Sequence, residues 1–181
     1  YELNKEKIFK NIYLVANQRD EAFLPHVYDV MRRQEVPLEN LVVTHDTSGQ
    51  VETAMVGINE LSQIQNAEHT PVLFHNIDTI LKNRNLLDIS KSLVNNAGFI
   101  DVFNANNHSY SYVLVDEDKT VTDIAEKIVI SNLATSGLYG FNSIETFRRF
   151  SSPQDIYISS IYKRMIEGGE KIASGEVHKE L

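Results

Sequence analysis

The feature that most constrains this chain is the alternation, in its first half, of short apolar runs with segments of helical periodicity. Residues 11–17, 40–45 and 71–77 are rich in β-branched or aromatic side chains, which predicts buried strands. The segments between them carry apolar stripes typical of helices, the first behind an Asp20 cap with Pro25 in its first turn. Strands that alternate with helices predict βαβ crossovers and a parallel sheet covered on both faces.

The second half is richer in strands. After one helix near residues 87–94, strand patterns follow at residues 99–104, 110–115, 121–127 and 134–141. A hairpin turn is predicted at residues 116–120, a helix from Ser143, and a last helix that ends at Gly168 and Gly169. We therefore predict a single α/β domain over residues 1–181, with a three-layer, doubly wound architecture and a mixed, mostly parallel sheet.

Composition excludes several classes of protein. The 181 residues include 17 Lys and Arg and 25 Asp and Glu, a net charge of −8 that argues against a binder of duplex nucleic acid. Cysteine is absent, which excludes a disulfide framework and a thiolate-ligated metal centre. No apolar run in the sequence approaches the ~20 residues that span a bilayer. We expect a soluble, cytoplasmic protein without nucleic-acid or membrane partners.

Two loops at the predicted carboxyl ends of strands are candidate ligand sites, because ligands of open α/β sheets bind there. In the first loop, Thr44, Ser48 and Gly49 precede a helix whose free backbone N–H groups let a ligand approach the main chain closely; a plain capped loop is the alternative. Asp78, which follows the third strand, is placed to hold Mg²⁺ through oxygen; a role as a turn cap is the alternative.

Glu126 and Lys127 close a strand whose other residues are apolar or neutral. Neighbours on a strand point to opposite faces, so both can touch one ligand only if the strand ends there or lies at the edge of a cleft. The alternative is an ordinary charge pair at an exposed strand end.

A metal hydrolase is a further hypothesis. His45, Asp46, His75 and Asp78 could converge as a histidine–carboxylate metal site, although no HExxH arrangement is present. The GxSxG, GxGxxG and GxxxxGK[ST] motifs are also absent from the sequence, so it contains no phosphate loop of those kinds.

Several segments, in the same order along the chain, resemble the sugar-1-phosphate nucleotidyltransferase family. Residues 126–141 read EKIVISNLATSGLYGF, similar to that family's Glu-Lys pair and Ser-Asn-x-Ala-x-[Thr/Ser]-Gly-[Ile/Leu]-Tyr run. The stretch LVVTHDTSGQVETA looks like its base-binding segment, and PVLFHNID looks like its strand ending in a metal-holding aspartate. Residues 157–172 resemble the late helix and following strand of its smaller members.

The resemblance implies Mg²⁺-dependent transfer of a nucleoside monophosphate from CTP, UTP or dTTP to a phosphorylated small molecule, with release of pyrophosphate, in surface or capsular polysaccharide synthesis. Asp78 and Lys127 are then the catalytic residues. The full set of implied site residues is Thr44, Ser48 and Gly49 for the nucleotide, Asp78 for the metal, Glu126 for a hydroxyl or amine of the acceptor, Lys127 for its phosphate, and Ser136 and Gly137 for the acceptor pocket.

The sequence also departs from the family pattern. The family's N-terminal glycine-rich signature would lie before Tyr1, so we expect this chain to correspond to the middle and end of such an enzyme and to turn over little alone. Ser111 stands where many members have glycine, which leaves room for acceptors such as phosphocholine or a phosphorylated amino acid. A non-catalytic nucleotide- or sugar-binding regulator with the same fold is the alternative function. The oligomeric state stays open, a homodimer included.

Overall fold

The computed structural model describes residues 8–64, 66–82 and 84–177. Its contacts divide the chain into two compact units, the first ending at Gln65 and the second beginning at Asn66. Each unit contains its own sheet. No helix within the described residues is long and apolar enough to cross a membrane.

The first unit is a βαβα arrangement. Its elements are β1 (Leu14–Asn17), α1 (Leu24–Arg33), β2 (Leu41–Thr44) and α2 (Gln50–Leu61). The two strands pair in parallel, with Leu14 opposite Leu41 and Asn17 opposite Thr44, so the predicted crossover is confirmed.

The predicted Asp20 cap is wrong. A 3₁₀ turn (Gln18–Phe23) precedes α1, and Asn17 caps that turn, because its extended backbone lets its side chain accept a hydrogen bond from the Arg19 amide at 2.9 Å. Asp20 lies inside the turn with a non-helical backbone. Pro25 is in the first turn of α1, as expected.

The second unit contains most of the sheet. Its elements are β3 (Val72–His75), α3 (Leu86–Asn95), β4 (Gly98–Asn104), β5 (Ser111–Val115), β6 (Val121–Glu126), β7 (Leu133–Phe141), α4 (Ile144–Phe150), α5 (Ile158–Glu167) and β8 (Ile172–Ser174). The strand order is β6-β5-β7-β4-β8, and β3 also pairs with β7. The Asp116 amide donates to the Thr120 carbonyl at 3.0 Å, which confirms the predicted hairpin turn between β5 and β6.

Strand β7 is the centre of this sheet. β4 pairs along one of its edges, while β3 and β5 share the other edge, and all three run antiparallel to β7. Parallel pairing within the second unit is found between β4 and β8. The predicted mixed α/β class, with antiparallel strands in the second half, is confirmed, but the third strand, which was expected in the parallel part of the sheet, runs antiparallel to β7.

Aromatic side chains from several elements form the core against β7. Phe141 on β7 stacks against Tyr162 of α5 with ring centroids 4.8 Å apart. Phe74 and Phe147 each pack edge-on against Phe141, and their own rings are tilted relative to each other. The fully buried Tyr162 donates hydrogen bonds to the carbonyls of Phe99 and Gly140, at 3.0 and 2.7 Å. α5 is therefore fixed to both central strands.

Candidate active site

A bulge in β7 lies where two neighbouring strands leave a gap beside it. On one edge, His75 of β3 pairs with Leu138 and Tyr112 of β5 pairs with Ala134, so neither strand covers the positions between. On the other edge, Ile100 and Val102 of β4 pair with Tyr139 and Thr135, which leaves residues 136–138 opposite Asp101 alone. Bulges of this kind re-aim side chains and are frequent next to active sites.

The predicted pocket residues Ser136 and Gly137 form this bulge. Gly137 has φ +87°, and a β-carbon there would come within 2.8 Å of the Asn76 side chain. The backbone N–H of Asn76 donates to the Gly137 carbonyl at 3.0 Å. Ser136 is buried, and its Oγ accepts from the Leu138 amide at 3.3 Å. The close approach that demands glycine is thus made by Asn76, on the chain leaving β3.

Asp78 lies on the same segment, two residues beyond Asn76, and is exposed. A turn is closed there by the Thr79 amide, which donates to the Asn76 carbonyl at 3.2 Å. Among the described residues, the hydrogen bond to the Asp78 carboxylate comes from the Thr79 hydroxyl, at 3.4 Å. No backbone amide of the described residues is capped by this carboxylate, and the side chain is exposed.

A buried ion pair lies behind this turn. Arg84 Nε and Asp101 Oδ2 are 3.1 Å apart, and the two side chains are only 3% and 2% exposed. Asp101 is the residue of β4 that faces the bulge. Nearby His75 has a buried Nε2 without a hydrogen-bond partner among the described residues. Burial lowers the His75 pKa, although the carboxylates of Asp101 and Asp78 oppose that shift.

Glu126 ends β6, and hydroxyl groups hold its carboxylate. Ser111, its partner across the β5–β6 ladder, and Ser159 in α5 both donate to Oε2, the latter at 2.7 Å. Both hydrogen bonds thus reach the same oxygen of the carboxylate. A carboxylate fixed through one oxygen can accept a hydroxyl or amine of a ligand with the other.

Behind Glu126 lies a buried phenol. Tyr139 Oη and Thr135 Oγ1 are 2.9 Å apart, and burial raises the pKa of Tyr139 to about 12. Ser111, which donates to Glu126, acts in the opposite direction and lowers the Tyr139 pKa, but burial outweighs it. A phenol that stays protonated therefore lies behind the Glu126 carboxylate.

Lys127 takes an unusual backbone conformation directly after the strand. Its φ is +55°, in the left-handed region that few residues other than glycine occupy. Its amide donates to the Tyr110 carbonyl at 3.1 Å, and its own carbonyl lies 3.2 Å from His108 Nδ1. The ammonium donates to the Tyr157 hydroxyl at 2.8 Å, and this bond raises the Lys127 pKa. The strand does end at Glu126, which was the condition for both side chains to meet one ligand.

The first-unit loop is held by local contacts. The amide and hydroxyl of Ser48 both donate to Glu52, at 2.6 and 2.7 Å, and the amide bond is the main reason why the Glu52 pKa is lowered. Gly49 has an extended backbone and is the N-cap of α2, and Thr44 ends β2. The loop is therefore a capped loop, which the sequence analysis gave as the alternative to a ligand site.

Five of the predicted site residues lie in the second unit: Ser136 and Gly137 in the β7 bulge, Asp78 on the chain leaving β3, and Glu126 and Lys127 at the end of β6, which β5 separates from β7. Thr44, Ser48 and Gly49 lie in the first unit. Asp46 of the hydrolase hypothesis accepts from Asn17 at 2.7 Å and pairs with Arg19 at 3.2 Å. Within the described chain, no group of three or more His, Asp or Glu side chains could hold a metal, so the structure does not support that hypothesis.

Asp78 nevertheless fits a shared Mg²⁺ site. Mg²⁺ keeps several waters and is usually bound by one or two carboxylates together with substrate phosphates, not by a cage of protein ligands. A single exposed carboxylate at the carboxyl end of β3 suits that mode of binding. The Mg²⁺ expectation thus stays a prediction that the geometry permits.

Sequence reasoning missed the residues that support the site. Ser159 contacts Glu126 from 33 positions away, and Tyr157 contacts Lys127 from 30 positions away. No local sequence pattern predicts contacts over such distances. Asp101 did carry a signal, since a lone aspartate inside the apolar run FIDVF requires a buried partner.

A comparison with solved structures identifies the fold. The nucleoside-diphosphate-sugar pyrophosphorylase from Vibrio cholerae RC9 is similar with a TM-score of 0.74 and 24% identity, over 91% of this chain and 71% of that chain. It is one of 252 matching chains. No family model and no curated protein matches the sequence. The chain thus has the mixed α/β fold of the nucleotide-diphospho-sugar transferases, as predicted.

Proposed function

We propose that this protein transfers a nucleoside monophosphate from a nucleoside triphosphate to a phosphorylated small molecule and releases pyrophosphate. The observation that carries the proposal is the end of β6, where an anchored carboxylate and an ammonium group follow each other at a strand end. The fold supports it, because a similar structure is described as a nucleoside-diphosphate-sugar pyrophosphorylase. A sugar phosphate is accordingly the favoured acceptor.

In the proposed reaction, a phosphate oxygen of the acceptor attacks the α-phosphorus of the triphosphate in line. The new P–O bond forms as the bond to the β-phosphate oxygen breaks, and pyrophosphate leaves with that electron pair, so no proton is exchanged with a protein residue. Such a reaction depends mainly on positioning and on neutralisation of charge.

Each charged residue has one role in this scheme. Lys127 neutralises the acceptor phosphate as a mobile point charge, and Glu126 orients the acceptor by accepting a hydrogen bond from its hydroxyl or amine. Asp78 would hold Mg²⁺, which neutralises negative charge on the phosphates when bound. Ser136 and Gly137 shape the acceptor pocket, and Thr44, Ser48 and Gly49 contact the nucleotide. CTP, UTP and dTTP are the candidate donors, and capsular polysaccharide synthesis in the cytoplasm is the proposed setting.

The experiment is a pyrophosphate-release assay on the complete gene product. Each triphosphate is paired with a hexose 1-phosphate or with phosphocholine, in the presence and absence of Mg²⁺. Lys127→Gln should lower kcat/KM for the productive pair by about 100-fold, because the charge that neutralises the attacking acceptor phosphate is lost. Lys91→Gln, a change in an exposed pair with Asp88 in α3, is the matched control and should leave turnover unchanged.

The alternative function, a non-catalytic regulator, is favoured by one observation. The amide and the hydroxyl of Ser48 both donate to Glu52, so neither group is available to bind a triphosphate in this conformation. Binding of a sugar phosphate without pyrophosphate release from any triphosphate would establish the regulator and reject the enzyme. Full activity of Lys127→Gln would remove Lys127 from the site.

A further inference from the structure

The first turn of α5, residues 157–160, contacts both charged residues at the end of β6. Tyr157 accepts a hydrogen bond from Lys127, and Ser159 donates one to Glu126. Lys127 Nζ also lies 4.8 Å from the centroid of the Tyr157 ring, within the range of a cation–π contact. Among the described residues, Glu126 and Lys127 form no ion pair with each other, although they are adjacent and opposite in charge.

The backbone explains how neighbouring residues reach the same helix turn. In a regular strand, Glu126 and Lys127 would point to opposite faces. The left-handed conformation of Lys127 ends the alternation, and the hydrogen bond from its amide to Tyr110 holds that conformation. Both side chains can therefore contact residues two positions apart on α5.

Contacts with the sheet fix the position of α5, so its first turn can hold the side chains of Glu126 and Lys127 in place. Tyr162 fixes it to β4 and β7, and Lys163 donates to Asp123 of β6 at 2.6 Å. Ser159 and Lys163 are four positions apart and so lie on one helix face, along β6. Arg164, also in α5, forms a two-pronged ion pair with Asp155, which precedes the helix. Ser159 itself is only 3% exposed, so its hydroxyl has little freedom to choose another partner.

From these contacts we infer that Tyr157 and Ser159 are positioning residues, which keep the carboxylate of Glu126 and the ammonium of Lys127 apart and aim them at different groups of one acceptor. Without them, adjacent opposite charges would be free to pair with each other and neutralise the site. The inference rests on the proposed function for the identity of the ligand. It also narrows the acceptor class to molecules with a phosphate and, separately, a hydroxyl or amine donor, which favours a hexose 1-phosphate over phosphocholine, whose quaternary nitrogen has no proton to donate.

The kinetic arm uses matched variants of neighbouring serines in the complete gene product. Ser159→Ala should raise the KM for the acceptor about tenfold while the KM for the triphosphate stays within about twofold, because only the acceptor meets Glu126. Ser160→Ala, in the same helix turn, should change neither, and Ser159→Thr should restore the acceptor KM by returning a hydroxyl. Equal rises in both KM values, or no rise, would overturn the inference.

The second arm does not depend on activity and separates this inference from the proposed function. Two-dimensional NMR of lysine Nζ and Cε reports the Lys127 pKa, which should fall in Tyr157→Phe and stay constant in the control Tyr28→Phe. The groups that face Lys127 are Tyr157 and Glu126, with His108 at its carbonyl. The carboxyl-carbon resonance of Glu126 should move in Ser159→Ala and not in Ser160→Ala. If the Lys127 and Glu126 signals do not change in these variants, the positioning role is rejected. If the signals change as expected but the protein transfers no nucleotide, only the proposed function is rejected.

Discussion

The loop before α2 and the end of β6 both present polar groups that sequence reasoning assigned to ligands, but the two regions are built differently. In the loop, Ser48 donates both its hydrogen bonds to Glu52, four positions along the chain. At the end of β6, Glu126 and Lys127 are held by residues 15 to 33 positions away. Local contacts form with the helix itself, whereas distant contacts exist only in the folded unit. The second region is therefore the one whose geometry the tertiary fold specifies.

The largest expected effect concerns the distant contacts behind the β7 bulge. Arg84→Met would leave Asp101 buried without its counter-charge, and we expect the free energy of unfolding to fall by about 3–5 kcal/mol. Arg32→Met, which breaks an exposed pair with Asp29 in α1, is the control and should cost at most about 0.5 kcal/mol. Denaturant unfolding monitored by circular dichroism measures both. Equal losses in the two variants would contradict the view that the buried, distant pair stabilises the fold more than the exposed, local one.

An intermediate effect is expected at the bulge itself. Gly137→Ala combines the cost of a left-handed backbone with a clash against Asn76, and should lower the free energy of unfolding by about 2–3 kcal/mol. Gly169→Ala, at φ +80° with open space around the new β-carbon, isolates the backbone cost at about 1 kcal/mol. Adding Asn76→Ala to Gly137→Ala should recover part of the difference. No recovery would show that Asn76 is not the obstacle.

The smallest effect is expected in the local loop, and it depends on pH. The folded-state pKa of Glu52 is lowered by Ser48, so its stabilisation is complete above the unfolded pKa of about 4.5 and is lost as the pH falls through the folded value. Glu52→Gln should therefore unfold at a slightly lower temperature than the wild type at pH 7, and the two should converge in acid. A difference that stays constant with pH would mean that the carboxylate does not act as a cap.

Elements with a strong local pattern could be predicted from the sequence. The parallel β1–β2 pair, the 116–120 hairpin and the helix after Ser143 were expected, and Ser143 does cap α4 by accepting from the Thr146 amide at 3.0 Å. The left-handed cap of α5 was also expected, and Gly169 supplies it with φ +80°. These features depend on neighbouring residues and follow from turn and cap chemistry.

Features that depend on pairing across the sheet could not be predicted. Nothing in the third strand indicates that it pairs antiparallel with β7 and not beside β2. The bulge was missed, although an isolated glycine within a strand pattern such as ATSGLYGF is a signal for one. For the site, the sequence supplied Glu126 and Lys127, but Ser111, Tyr157 and Ser159 meet them only through tertiary packing.

The bulge in β7 has one further consequence. Three residues of β7 lie opposite the single residue Asp101, so the strand contains two residues more than regular pairing needs. An even excess keeps the alternation of faces in phase on both sides of the bulge, and the core positions of β7 are unaffected by it. Loss of both extra residues would preserve that alternation along β7, whereas loss of one would reverse the face to which each residue beyond the bulge points. The length of the bulge thus sets the facing of the strand as well as the conformation of Ser136 and Gly137.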